Sequence, residues 1–151
     1  MIEHSTLPIL VAAAAMLSMA CATICQAEIS TPASRSLYGR MGGEPIVKAV
    51  ANDVIDGAAH DPKLKRSFAK VDLARVKRLL AEQICELSGG SCHYTGDPMH
   101  DVHAGLGITE AEFYGLVGVL KESLRSHGVG LRERNELLRI LAPMKRDIVE
   151  K

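Results

Sequence analysis

Wherever apolar residues cluster in this chain they recur three and four positions apart, and no stretch alternates polar with apolar side chains for long enough to make a strand. Ile46, Val47, Val50, Val54 and Ile55 form one such series; Leu73, Val76, Leu79, Leu80, Ile84 and Leu87 form a second. Phe113, Leu116, Val117, Leu120 and Leu124 make a third, and Leu137, Leu138, Leu141, Met144 and Ile148 a fourth. This spacing places one apolar stripe along a helix and leaves Arg75, Lys77, Arg78 and Glu82 on the solvated side. Aromatic residues are only 3% of the chain, so the core must come from Leu, Ile, Val, Ala and Met. Such a core suits helices better than strands. The fold class read from the pattern is all-α, with four main helices.

Punctuation sets the boundaries. Gly42-Gly43 breaks the chain before a helix from Pro45 to about Asp56, with Pro in its first turn, and Gly57 and His60-Asp61-Pro62 end it. Asp72 caps the second helix and Gly89-Gly90 stops it. "SCHYTGDP" reads as a loop and "MHDVHAG" as a short helix. Thr109 and Glu112 form a capping box for the third long helix, which breaks at His127-Gly128 and Gly130. The last helix starts near Arg132 and is kinked at Pro143.

The N-terminal part is of another kind. Leu7 to Ile24 carries no charge, and Ala27 sits where a cleavage can follow, so residues 1–27 are expected to be a secretory signal peptide and residues 28–35 a polar lead. Residues 36–151 are then one globular domain in an exported, periplasmic protein. No Lys or Arg precedes the apolar run, which is nearly long enough to span a bilayer. An uncleaved anchor or a lipid-modified Cys21 therefore stands as the alternative, and membrane contact is expected only in that case. Cys85 and Cys92 bracket the Gly89-Gly90 turn; in an oxidising compartment they can close a short disulfide, and otherwise they are two semi-buried thiols. The net charge of +0 gives no reason to expect a nucleic-acid partner.

Imidazoles are the natural ligands for a transition metal here, and His93, His100 and His103 fall within one short stretch. His93 lies in the polar loop. His60 and His127 read as helix-end residues. His100 and His103 share a face if their segment is helical, but His100 is followed at once by Asp101, whereas Met99, Val102 and Leu106 give His103 an apolar frame. His103 is the better candidate for a buried ligand, against the plainer reading of a core histidine bonded to a carbonyl. Position 89 is Gly, so Cys92-His93 supplies only half of a covalent haem-attachment motif. Neither a phosphate-binding glycine loop, a His-Glu-x-x-His helix nor a Gly-x-Ser-x-Gly elbow occurs.

The strings "LYGRMGGEPIVKAV", "DPKLKRSF", "QICELSGGSCHYTGDPMHDVHAGLGITEAEFYGLV" and "LAPMKRDIV", in that order, resemble the group I truncated haemoglobins over about Ser36 to Glu150. The most specific part is the run from Tyr94 through Met99 and His103 to Ile108. The resemblance implies a two-over-two helical sandwich around one non-covalent haem b, an exchangeable protoheme iron. It implies His103 as the proximal ligand, Phe68 packing on the haem face, and Val76 and Leu80 lining the distal side. It also places Tyr94, and Lys77 or Arg75, near the haem propionates. Many members carry a tyrosine at the position of Ile55 and a glutamine at that of Leu80, both donating to bound dioxygen; here the nearest distal amide is Gln83.

The function implied is binding of dioxygen, or of nitric oxide or carbon monoxide, at a histidine-ligated haem iron, more a ligand-binding role than an enzymatic one. One alternative is a haem redox protein that exchanges electrons with a partner or acts on nitric oxide or peroxide. Another is a non-haem metal site built from Cys85, Cys92, His93, His100 and His103.

Overall fold

The structure, a computed structural model, describes residues 36–150; the expected signal peptide and polar lead lie outside the described residues. It opens with a short helix that spacing alone does not reveal, α1 (Leu37–Met41), capped by Ser36 Oγ, which accepts from Gly39 N at 3.1 Å. Five residues are too few to display a period, so only the cap could have marked it. α2 (Gly43–His60) runs past its expected end. Gly57 does not break it. A side chain there would meet Val119 Cγ1 at 3.0 Å, so this glycine permits a close helix crossing and the chain stays helical.

Leu64 leads into a 3-10 turn, Lys65–Phe68. α3 (Leu73–Leu87) begins where Asp72 Oδ1 accepts from Arg75 N at 3.2 Å. α4 (Met99–His103) is a single turn after the loop. α5 (Glu110–Ser126) starts in the expected capping box: Glu112 N donates to Thr109 Oγ1 at 3.2 Å and Thr109 N to Glu112 Oε2 at 2.9 Å. α6 (Leu131–Leu141) passes into a 3-10 turn at Ala142–Met144, which carries Pro143, and then into α7 (Lys145–Ile148). Proline has no N–H to continue the α ladder, and the break falls at this residue.

α2 packs against α3 and α5, α6 against α5 and α1, and α4 against α7. Val50, Val54, Ile55, Ile84, Leu124 and Leu137 fill the space between them at 3% exposure or less. Among the described residues every element is helical, and no helix is long and apolar enough to cross a membrane.

Cys85 and Cys92 are joined in a disulfide, their Cα atoms 5.8 Å apart. Cys85 is buried and Cys92 exposed. The turn between them closes because Gly90 N donates to Cys85 O at 2.8 Å; a Cβ at Gly90 would stand 3.0 Å from that same oxygen. The bridge ties the end of α3 to the loop leading to α4. Closing a loop of this length lowers the entropy of the unfolded chain, so Cys92→Ser is expected to reduce the unfolding free energy by about 2–3 kcal/mol. Urea titration with and without reductant checks this: reduction of the wild type should reproduce most of the loss, and an unmoved midpoint in both would refute it.

Candidate functional site

His103 is the last residue of α4, half-buried, with Nδ1 2.7 Å from Met99 O. A carbonyl oxygen only accepts, so Nδ1 carries the proton and Nε2 keeps its lone pair. That is the tautomer a metal-binding imidazole needs, with a backbone partner fixing the ring. The environment differs from expectation in one respect. Met99 is half-buried, but Val102 and Leu106 are each 41% exposed, so among the described residues the apolar frame is only partly covered. α4 is one turn long and packs on α7.

α3 carries the longest exposed part of an apolar stripe. Of its apolar stripe only Ile84 and Cys85 are fully buried; Leu73, Val76, Leu79 and Leu80 remain half-exposed. Phe68, Leu73, Val76, Leu80, Leu116, Leu138 and Leu141 all lean on the core that contains Ile55, yet are not covered by it. α3 and α4 meet at Gln83, whose Nε2 donates to Met99 Sδ at 3.3 Å. These residues fit a haem: a flat apolar group needs apolar walls that protein alone leaves open, and one neutral nitrogen ligand on one side. Phe68, Val76 and Leu80 pack on the buried cluster that contains Ile55, while His103 lies on α4.

The remaining expected residues have partners of their own. Lys77 Nζ is 2.7 Å from Asp56 Oδ1 and spans from α3 to α2, and the Tyr94 hydroxyl donates to Asp97 O at 3.0 Å within its own turn. Burial, then the nearby Asp97 carboxylate, raises the Tyr94 pKa. Arg75 is exposed. His93 Nδ1 stands 2.9 Å from Glu86 Oε1 and His100 Nδ1 3.1 Å from Asp101 Oδ1, both rings largely in solvent. His60 Nδ1 donates to Asp56 O at 2.7 Å, while His127 reaches Asp53 Oδ2 at 2.7 Å, a cross-helix pair rather than a simple helix end. The non-haem alternative loses its donors: Cys85 and Cys92 are bonded to each other, and no group of three or more metal-ligating side chains forms among the described residues.

Sequence reading missed a polar junction beside α4. Arg66 Nη1 donates to Leu106 O at 3.0 Å and Nη2 to Gly107 O at 2.7 Å, while Nε and Nη2 hold the two oxygens of Glu112 at 2.5 and 2.6 Å. Thr109 N and Oγ1 also donate to Glu112. The capping box was visible in the sequence; its use of a third partner, 46 positions away, was not.

The bacterial-like globin family model matches residues 36–150. The group 1 truncated hemoglobin GlbN of Mycolicibacterium paratuberculosis is 32% identical over 113 residues, covering 75% of this chain and 83% of that protein. The corresponding protein of Nostoc commune is 28% identical over 116 residues, or 77% of this chain and 98% of its own length. Truncated hemoglobin from Tetrahymena pyriformis in its Fe(III) form superposes with a TM-score of 0.74 at 24% identity, over 78% of this chain and 100% of that one. A 2/2 hemoglobin from Synechococcus, solved with covalently attached heme, gives 0.71 at 21% identity, over 77% and 99%. The two structures establish the two-over-two helical arrangement.

The Arg66 side chain, with the Thr109 donors, holds the Glu112 carboxyl down to about 2 from its ordinary 4.5. A carboxylate with a depressed folded-state pKa contributes stability above its unfolded value and loses it as pH falls toward the folded one. The wild type should therefore be more stable than Glu112→Gln by a constant margin above about pH 4.5, and the margin should vanish toward pH 2. Urea midpoints of both proteins from pH 7 to 2 measure it; a margin that grows on acidification would contradict the assignment.

Proposed function

Since this chain belongs to the bacterial-like globin family, and within it to the group I truncated haemoglobins, we propose that His103 Nε2 ligates the haem iron and that a diatomic gas, dioxygen foremost, binds on the side facing α3. Haem is the family's cofactor, usually in the b form. The observation that carries the reading is the 2.7 Å hydrogen bond from His103 Nδ1 to Met99 O, which commits the other ring nitrogen to accept rather than donate. Bound haem supplies a ferrous centre with one open position, where dioxygen acquires negative charge and carbon monoxide much less.

What the chain offers at that position is unusual for a storage protein. Ile55 is 3% exposed and Leu80 half-buried, and neither carries a donor; the Gln83 amide is engaged with Met99 Sδ. With haem bound, a pocket without a donor would hold dioxygen weakly and would leave the iron open to oxidation. This favours, as a second reading, electron exchange with a redox partner or chemistry on nitric oxide. The disulfide supports function in an oxidising compartment, in line with an exported protein.

The test of the ligand is direct. His103→Gly should lose haem on gel filtration and regain its absorption spectrum with added imidazole, whereas His100→Ala should keep the wild-type ferrous spectrum. Retention by the first and loss by the second would reverse the assignment. The test of the distal side is Leu80→Gln, close to the original in volume. A hydrogen bond to a charged group is worth about 1.5–3 kcal/mol, so oxygen release should slow by roughly ten- to a hundredfold. Carbon monoxide release, the control, should change far less; equal effects on both gases would mean the glutamine acts by bulk alone.

A further inference from the structure

His103 ends a helix of five residues that buries none of its side chains and starts at Pro98 with no side-chain cap. One helical turn does not persist by itself, so the histidine's placement has to be imposed by whatever grips the chain on either side of it. On the N-terminal side the grip comes from α3. The disulfide holds Cys92, and Glu82 Oε2 accepts from Thr95 N at 3.1 Å. On the C-terminal side, Leu106 N donates to His103 O at 3.1 Å, and the carbonyls of Leu106 and Gly107 are the ones that Arg66 binds. Arg66 thus stands a single residue's hydrogen bonds away from the peptide of His103. It comes from the 3-10 turn that also carries Phe68, which packs against the core.

We propose that Arg66 is the positioning residue for the histidine ligand: it locks the chain after His103 to the Phe68 turn and so fixes the imidazole relative to the pocket. The proposal rests on the reading of His103 as the iron ligand. The chemistry selects arginine. A planar guanidinium presents five donors in a rigid fork, and here it serves four acceptors at once, two carboxylate oxygens and two carbonyls. A lysine ammonium, with three donors at one point, cannot reach all four. Glu112 is the anchor that orients the fork, itself oriented by Thr109 N and Oγ1. The Arg66 side chain is 52% exposed, and exposed ion pairs contribute little to global stability. Its effect at the site should therefore exceed that of Glu112→Gln, which removes the same ion pair but leaves the Arg66 bonds to the Leu106 and Gly107 carbonyls.

The experiment uses the haem-loaded protein and three readouts: transfer of haem to excess apomyoglobin, the iron–histidine stretching band of the unligated ferrous form, and the urea midpoint. Arg66→Gln should shift or broaden the band and release haem about tenfold faster, equivalent to about 1.4 kcal/mol, with a midpoint lowered no further than Glu112→Gln lowers it. Arg66→Lys should fall between Gln and wild type. Glu112→Gln should move the band in the same direction by less. Lys65→Gln, exposed and adjacent, should match the wild type throughout. A wild-type band and haem-loss rate in Arg66→Gln overturn the proposal, and so does a change in both that merely follows a fall in the midpoint. If His103→Gly retains the iron–histidine band, the ligand assignment fails instead, and the two failures are told apart by that variant alone.

Discussion

The site depends on α3 being buried along only part of its apolar stripe. Its C-terminal half, through Ile84 and Cys85, is locked into the core against α2, while Leu73, Val76, Leu79 and Leu80 keep exposed apolar surface. Apolar surface left in water costs roughly 25 cal/mol per Å². A helix bearing this stripe is therefore incomplete without something flat and apolar against it. The packed half supplies rigidity and the open half supplies the wall, and both follow from one helix crossing.

α4 has almost no stability of its own. α4 contributes the histidine but no buried side chain, and it is held by its neighbours: α7 behind it, the disulfide and Thr95 before it, Arg66 after it. A short, externally held turn can set a ligand atom without the bulk of a full helix. The disulfide and the arginine act on opposite ends of the same segment and by different physics. One restricts the unfolded chain, and the other makes directional, charge-assisted hydrogen bonds in the folded one.

Much of this was legible in the residues. Asp72, Thr109 and Glu112 announced their helices because capping is local chemistry, complete within four positions. His103 stood out from His93 and His100 by its neighbours, and both of those rings do lie in solvent. The apolar frame around it was only partly right, since Val102 and Leu106 sit on the uncovered side of a one-turn helix whose orientation no local pattern reveals. Gly57 misled for a related reason: a glycine that ends a helix and a glycine that admits a neighbouring helix look alike until the neighbour is known. The partner of Lys77, Asp56, is chosen by side-chain reach between α3 and α2, whereas Tyr94 bonds the Asp97 carbonyl within its own turn.

By itself the sequence determined the all-helical class, the positions of the long helices and the pair of cysteines able to close a turn, and it ranked His103 above His93 and His100 as a candidate ligand. These rest on periodicity, capping and turn chemistry, which act over a few residues. Only the tertiary structure decided that Cys85 and Cys92 are bonded, that the Phe68 turn meets the chain after His103 through Arg66, and how much of α3 is left uncovered. Each of those joins residues whose proximity is created by helix packing, and packing selects among contacts that the local code leaves equally available.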